Sequence, residues 1–170
     1  MLSKKLEEAL NVHINAELWS SYFYLSMSAY FAKEGKSGFA NWFRIQALEE
    51  KDHAMKIFDY IITRGGQVDL NAVKDVPKTW KSPLEVFEAA LAHERVVTGL
   101  INKLVELAKD EKDYATESML KWFVDEQVEE EATALGYIDA LKMINDNGFG
   151  IYTLDKELKN RSYTPLTNNE

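Results

Sequence analysis

The stretch Glu49-Glu50-Lys51-Asp52-His53 decides how this chain is read. Glu50 and His53 lie three residues apart, which in a helix puts both on one face. Steps of three and four outward from Glu50 reach Phe39, Phe43 and Ala47 on one side and Ala54, Ile57 and Ile61 on the other. The outcome is an apolar stripe interrupted by one carboxylate, and a carboxylate in a core stripe needs a reason.

The same interruption recurs in three other segments. At three-four spacing one reads Leu6, Leu10, Ile14, Glu17, Ser21, Tyr24, Ser28, Phe31; a second reads Leu84, Phe87, Leu91, Glu94, Thr98, Ile101, Val105; a third reads Leu120, Phe123, Gln127, Glu130, Ala134, Tyr137, Leu141, Ile144. Stop and cap signals bound the elements. Ser3 caps the first helix, Gly35 ends it, Ser37 opens the second, Gly65-Gly66 closes it, and Ser82-Pro83 starts the third. The spacing predicts helices over about 4–33, 38–64, 83–110 and 113–146, a short fifth over 153–160, and a loose tail, 161–170, in a single domain. Gln67 to Lys81 loses periodicity and contains Pro77, as an extended crossover along a bundle roughly 45 Å long would require. The fold class is therefore all-α, two long hairpins joined by a crossover.

In antiparallel hairpins Glu17, Glu50, Glu94 and Glu130 fall at one depth, near mid-helix. Each unpartnered carboxylate costs several kcal/mol to bury, and four in one layer repel one another. No Lys or Arg stands on the four stripes. One or two such residues can reach water or hold a proton, but four at one depth beside a histidine fit a divalent metal better.

Composition narrows the partners. The chain has 170 residues, 46% hydrophobic and 28% charged, enough for one domain with a substantial core. It contains no cysteine, so a metal must be held by oxygen and imidazole. A net charge of -8 disfavours nucleic acid, and the lack of a long apolar run or signal core predicts a soluble, cytoplasmic protein with no membrane partner.

Glu17, Glu50-x-x-His53, Glu94 and Gln127-x-x-Glu130, on helices with a long crossover and a short fifth helix, resemble the non-haem ferritins of prokaryotes over almost the whole chain. The resemblance implies a ferritin-like four-helix bundle and a ferroxidase that oxidises Fe(II) with dioxygen or hydrogen peroxide at a di-iron centre. It implies storage of ferric oxyhydroxide in a homo-oligomeric cage of twenty-four subunits. By the same resemblance Glu17, Glu50 and His53 hold one iron; Glu50, Glu94 and Glu130 hold the second, with Glu50 bridging. Gln127 orders solvent or oxygen species beside them, and Glu49, Glu126 and Glu129 form with Glu130 a third iron site toward the cavity. Tyr24 and Trp122 match aromatic residues next to the centre, although core packing explains either side chain at least as well. The fourth helix lacks a second Glu-x-x-His, and Asp52 stands where a haem-ligating methionine would be expected, so no haem is expected. His13 is read as a surface or core-edge residue, and His93 is given no role.

Two rivals stay open at this level. One is a rubrerythrin-like di-iron peroxidase or oxygenase, which the absent cysteines disfavour. The other is a metal-free helical interaction protein. Apolar Leu18, Trp19, Tyr22, Phe23, Leu25 and Tyr30 on further faces of the first helix predict a second buried surface, and hence association.

Overall fold

A computed structural model describes residues 2–166 and contains, among them, five α-helices and no strand. These are α1 (Lys4–Lys33), α2 (Ser37–Thr63), α3 (Pro83–Asp110), α4 (Tyr114–Ile144) and α5 (Gly148–Leu158). α1 and α2 form one hairpin, α3 and α4 the other; α1 also packs on α3, and α5 lies against α2 with a lesser contact to α4.

Local chemistry explains the boundaries. Ser3 and Ser82 cap α1 and α3, their hydroxyls accepting from Leu6 N and Glu85 N, and Pro83 occupies the first turn of α3 where its missing N–H costs nothing. Gly35 turns the chain out of α1 at φ 72°, the left-handed region that a side chain would resist.

α2 departs from the sequence reading. Ser37 is not its cap: the N-cap position is Lys36, with no side-chain bond, and the cap is supplied from α5. Asp155 Oδ1 accepts from Gly38 N at 2.8 Å and Phe39 N at 3.0 Å. A Cβ on Gly38 would collide with the Asp155 carbonyl, so this glycine permits the close approach.

The fifth helix is also placed differently. It runs from Gly148 rather than 153, because Asn145 ends α4 in the left-handed conformation (φ 48°) and Asn147 caps α5 through Gly150 N. The chain beyond it is not loose as far as residue 166. Arg161 binds α2, and Asp52 Oδ2 accepts from Tyr163 Oη at 2.6 Å and from Leu166 N at 3.1 Å. The last part of the expected tail, 167–170, lies outside the described residues.

The crossover lies along α1. Asn11 Nδ2 donates to Gln67 O and Asn11 Oδ1 accepts from Asp69 N; one turn on, Asn15 repeats the pattern with Asp69 O and Asn71 N. These amides satisfy extended backbone that has no strand partner.

The core is in two pieces. One cluster includes Met27, Phe31, Phe39, Phe43, Phe87 and Ile138; the other includes Leu6, Leu10, Ile57, Ile61, Ile101 and Leu120. Between them every helix of the bundle contributes a polar side chain, and there the candidate site lies.

Candidate metal centre

α1 brings Glu17, α2 brings Glu50 and His53, α3 brings Glu94, and α4 brings Gln127 and Glu130. Glu17 and Glu50 are each 1% exposed, Glu94 3% and His53 4%. Such burial is held only if something compensates the charge.

Among the described residues, two groups of three or more His, Asp or Glu side chains place their ligand atoms within 4.8 Å of one another: Glu17, Glu50 and His53, and Glu50, Glu94 and Glu130. Glu50 belongs to both. The donors are carboxylate oxygens and one imidazole, a set suited to hard or borderline divalent cations. The unmet demand is visible too. Both oxygens of Glu17 and Oε2 of Glu130 are buried without a hydrogen-bond partner.

Both oxygens of Glu94, by contrast, are held by donors. Tyr24 Oη donates to Glu94 Oε1, and Gln127 Nε2 to Glu94 Oε2 at 3.1 Å. The two side chains next to the predicted ligands therefore both grip Glu94; Tyr24 does more than fill space. Trp122 meets the His53 ring edge-on, with centroids 5.3 Å apart.

Gln46, which is not among the residues of the apolar stripes, sits at the centre of this arrangement. Its Nε2 donates to Glu50 Oε1 and to Glu130 Oε1, each at 2.9 Å. It lies one turn before Glu50, and that i,i+4 relation was the available signal.

His13 corrects its sequence reading. It is 2% exposed, a core residue, with Nε2 2.7 Å from Glu17 Oε1 though not aligned as a hydrogen bond. His93 is occupied as well, Nε2 lying 2.7 Å from Ser20 Oγ and the ring against Trp19 and Phe23. Burial lowers its pKa to about 4, leaving it neutral at ordinary pH.

Electrostatics follow from crowding. Burial, then the charges of Glu94 and Glu17, push the Glu50 carboxyl well above its ordinary range; burial with Glu50 and Glu94 does the same to Glu130. Burial raises Glu94 against the Tyr24 and Gln127 donors. Burial opposes ionisation of Glu17 also, but His13 and His53 together overcome it and its pKa is lowered. Three carboxyls that resist ionising together are poised for a cation.

Glu49, Glu126 and Glu129 border a cavity of about 180 Å³ that also reaches Glu94, Glu130 and His53. Their ligand atoms do not form a third close group among the described residues. Glu49 is instead ion-paired with Arg161.

Bundle and donor set together are those of a carboxylate-rich four-helix protein, and known proteins narrow the class. Residues 7–144 match the ferritin-like domain family. A bacterial non-heme ferritin of Bacteroides fragilis is 50% identical over 161 residues, spanning 95% of this chain and all of that protein. Another, of Staphylococcus epidermidis, is 47% identical over 163 residues, 96% of this chain and 98% of that protein. An engineered closed form of Archaeoglobus fulgidus ferritin superposes with TM-score 0.95 at 50% identity, covering 96% of this chain and 100% of that one. The chain belongs to the ferritin-like family.

Proposed function

We propose that the protein is an iron-storage ferroxidase, taking Fe(II) as substrate at the paired carboxylate site and retaining the ferric product inside a cage built from copies of this chain. The observation that carries the proposal is Glu50, shared by the Glu17–Glu50–His53 and Glu50–Glu94–Glu130 groups, because one carboxylate common to two sites brings two cations together. The named relatives, bacterial non-heme ferritins, support storage as the outcome.

Two Fe(II) ions each lose one electron, and dioxygen takes both electrons with two protons and leaves as hydrogen peroxide. The protein supplies positioning and charge. Glu17, Glu50, His53, Glu94 and Glu130 bind the ions; Tyr24, Gln127 and Gln46 orient Glu94, Glu50 and Glu130. An anionic shell favours Fe(III) over Fe(II) and so assists oxidation. Glu49, Glu126 and Glu129 line the way out. Hydrogen peroxide can replace dioxygen as oxidant. The assembled particle is expected to hold twenty-four chains in the cytoplasm; among the described residues no helix is long and apolar enough to cross a membrane.

Glu50→Ala and His53→Ala should slow aerobic Fe(II) oxidation by at least roughly tenfold while the native particle size is kept. Iron co-eluting with the large particle far in excess of a bound pair per chain separates storage from a peroxidase that keeps only its own pair. Wild-type rates in both variants would remove the site assignment.

A further inference from the structure

The segment after α5 brings a fixed cation to the edge of the carboxylate layer. Arg161 is anchored at several points: its carbonyl accepts from Asn41 Nδ2 at 3.0 Å, its Nη1 donates to Trp42 O at 3.1 Å, and its guanidinium lies 4.4 Å from the centre of the Trp42 ring. Beyond it, Tyr163 and Leu166 are tied to Asp52. This is a positioned side chain.

Its Nη2 serves two acceptors. One is Glu49 Oε2, with which it forms an ion pair; the other is Gln46 Oε1, at 3.0 Å. Because Arg161 takes the carbonyl end of the Gln46 amide, the Nε2 end is directed at Glu50 and Glu130. A continuous chain of donors therefore runs from the guanidinium to the carboxylate that the two ligand groups share. Arg161 and Leu166 also wall the cavity bordered by Glu49, Glu126, Glu129 and Glu130.

A cation passing from the inner layer toward Glu49 meets one already there. We propose that Arg161 is a tethered counter-cation which a metal ion leaving through Glu49 must displace, and whose displacement frees the Gln46 amide that grips Glu50 and Glu130. Resting on the two-metal reading of the inner site, this makes Arg161 and Gln46 positioning residues that couple the outward path to the geometry of the inner pair. With the path empty, the guanidinium neutralises Glu49 and keeps Gln46 aimed inward. With a divalent cation at Glu49, Arg161 is repelled and the hold on the shared carboxylate loosens.

The test is equilibrium binding of Zn(II), which is redox-inert, to the full-length assembled protein. Wild type is compared with Arg161→Ala, Arg161→Lys and the double variant Arg161→Ala with Glu49→Gln. Two tight equivalents per chain are expected throughout. A weaker third should tighten on the order of fivefold to tenfold in Arg161→Ala, the scale of a partly exposed ion pair with an added charged hydrogen bond. It should stay near wild type in Arg161→Lys, which keeps the charge, and gain nothing in the double variant. A third step unmoved by Arg161→Ala, or tightened equally in either other variant, overturns the inference. Lack of two tight equivalents in the wild type would instead overturn the two-metal reading beneath it. Hydrogen exchange on the unaltered protein gives an independent readout: backbone amides of 161–166 should exchange faster at the third equivalent and not at the first two. Exchange unmoved at the third equivalent also overturns it.

Discussion

At the residue scale, the buried carboxylate layer is a set of opposed demands. Glu50, Glu94 and Glu130 have pKa values raised first by burial, so a proton is bound more readily in the folded than in the unfolded chain. Their contribution to stability is therefore full below the ordinary carboxylate value of 4.5 and is lost as pH rises through the folded values. Glu50→Gln keeps the shape, removes one charge from the layer and leaves a carbonyl for Gln46. We expect the metal-free variant to melt higher than wild type at neutral to alkaline pH, by a few degrees for about 1–2 kcal/mol, with the difference shrinking toward acid. Calorimetry on chelator-treated protein checks this. A variant that melts lower at alkaline pH would show that Glu50 is not a strained carboxylate. On the proposed function, the gain in stability should come with a loss of metal binding, the usual exchange at a functional site.

At the element scale, the helix ends rely on side chains remote in sequence. Asp113 caps α4 through Thr116 N at 3.1 Å and also accepts two bonds from Arg64 at the end of α2, one of 2.8 Å. Hydrogen bonds from Arg64, against the cost of burial, lower its pKa below the ordinary 3.8. The sign is opposite to that of the carboxylate layer: Asp113 stabilises above the ordinary value, and the contribution is lost as pH falls through the folded one. Asp113→Ala should cost about 1–2 kcal/mol at neutral pH, mostly the cap, and flatten part of the acid limb of the stability curve. Denaturant melts from neutral pH into the acid range measure both effects.

Asp155 plays the matching part at the start of α2, where Gly38 N and Phe39 N have no local acceptor. Asp155→Ala should cost about 1 kcal/mol or more and speed hydrogen exchange in α5 and the first turn of α2, leaving α3 and α4 unaffected. Uniform acceleration through the bundle would argue against a local cap.

At the scale of the whole molecule, the polar layer separates two apolar clusters that the helices must hold in register. A cation that binds the folded chain alone adds stability by mass action, about 2.7 kcal/mol at a hundred times its dissociation constant. Zn(II) or anaerobic Fe(II) should therefore raise the melting temperature, and Glu50→Gln should lose most of the rise. The surface has its own demand. Of the apolar side chains expected outside the core stripe of α1, Phe23 is buried at 4% exposure, and Leu18, Trp19 and Tyr30 are partly covered, but Tyr22 and Leu25 stay exposed at 52% and 47%. Val12, Leu48 and Ile62 are exposed as well. Exposed apolar residues on α1 and α2 support association, so the native mass should be a large multiple of 19.5 kDa. Elution as a single chain would exclude the cage.

Four carboxylates at one depth were legible because an α-helix has a fixed rise and period, so position along the chain converts directly into height and face. That is why helices α1 to α4, the long crossover, and the common depth of Glu17, Glu50, Glu94 and Glu130 follow from the sequence by itself. The same arithmetic is blind to contacts between elements. It could not show that Gln46 holds Glu50 and Glu130, that Asp155 caps α2, that His13 is buried beside Glu17, or that Arg161 reaches back to Glu49 across 112 residues. Periodicity reports which face of a helix is covered, and only the tertiary structure decides by what.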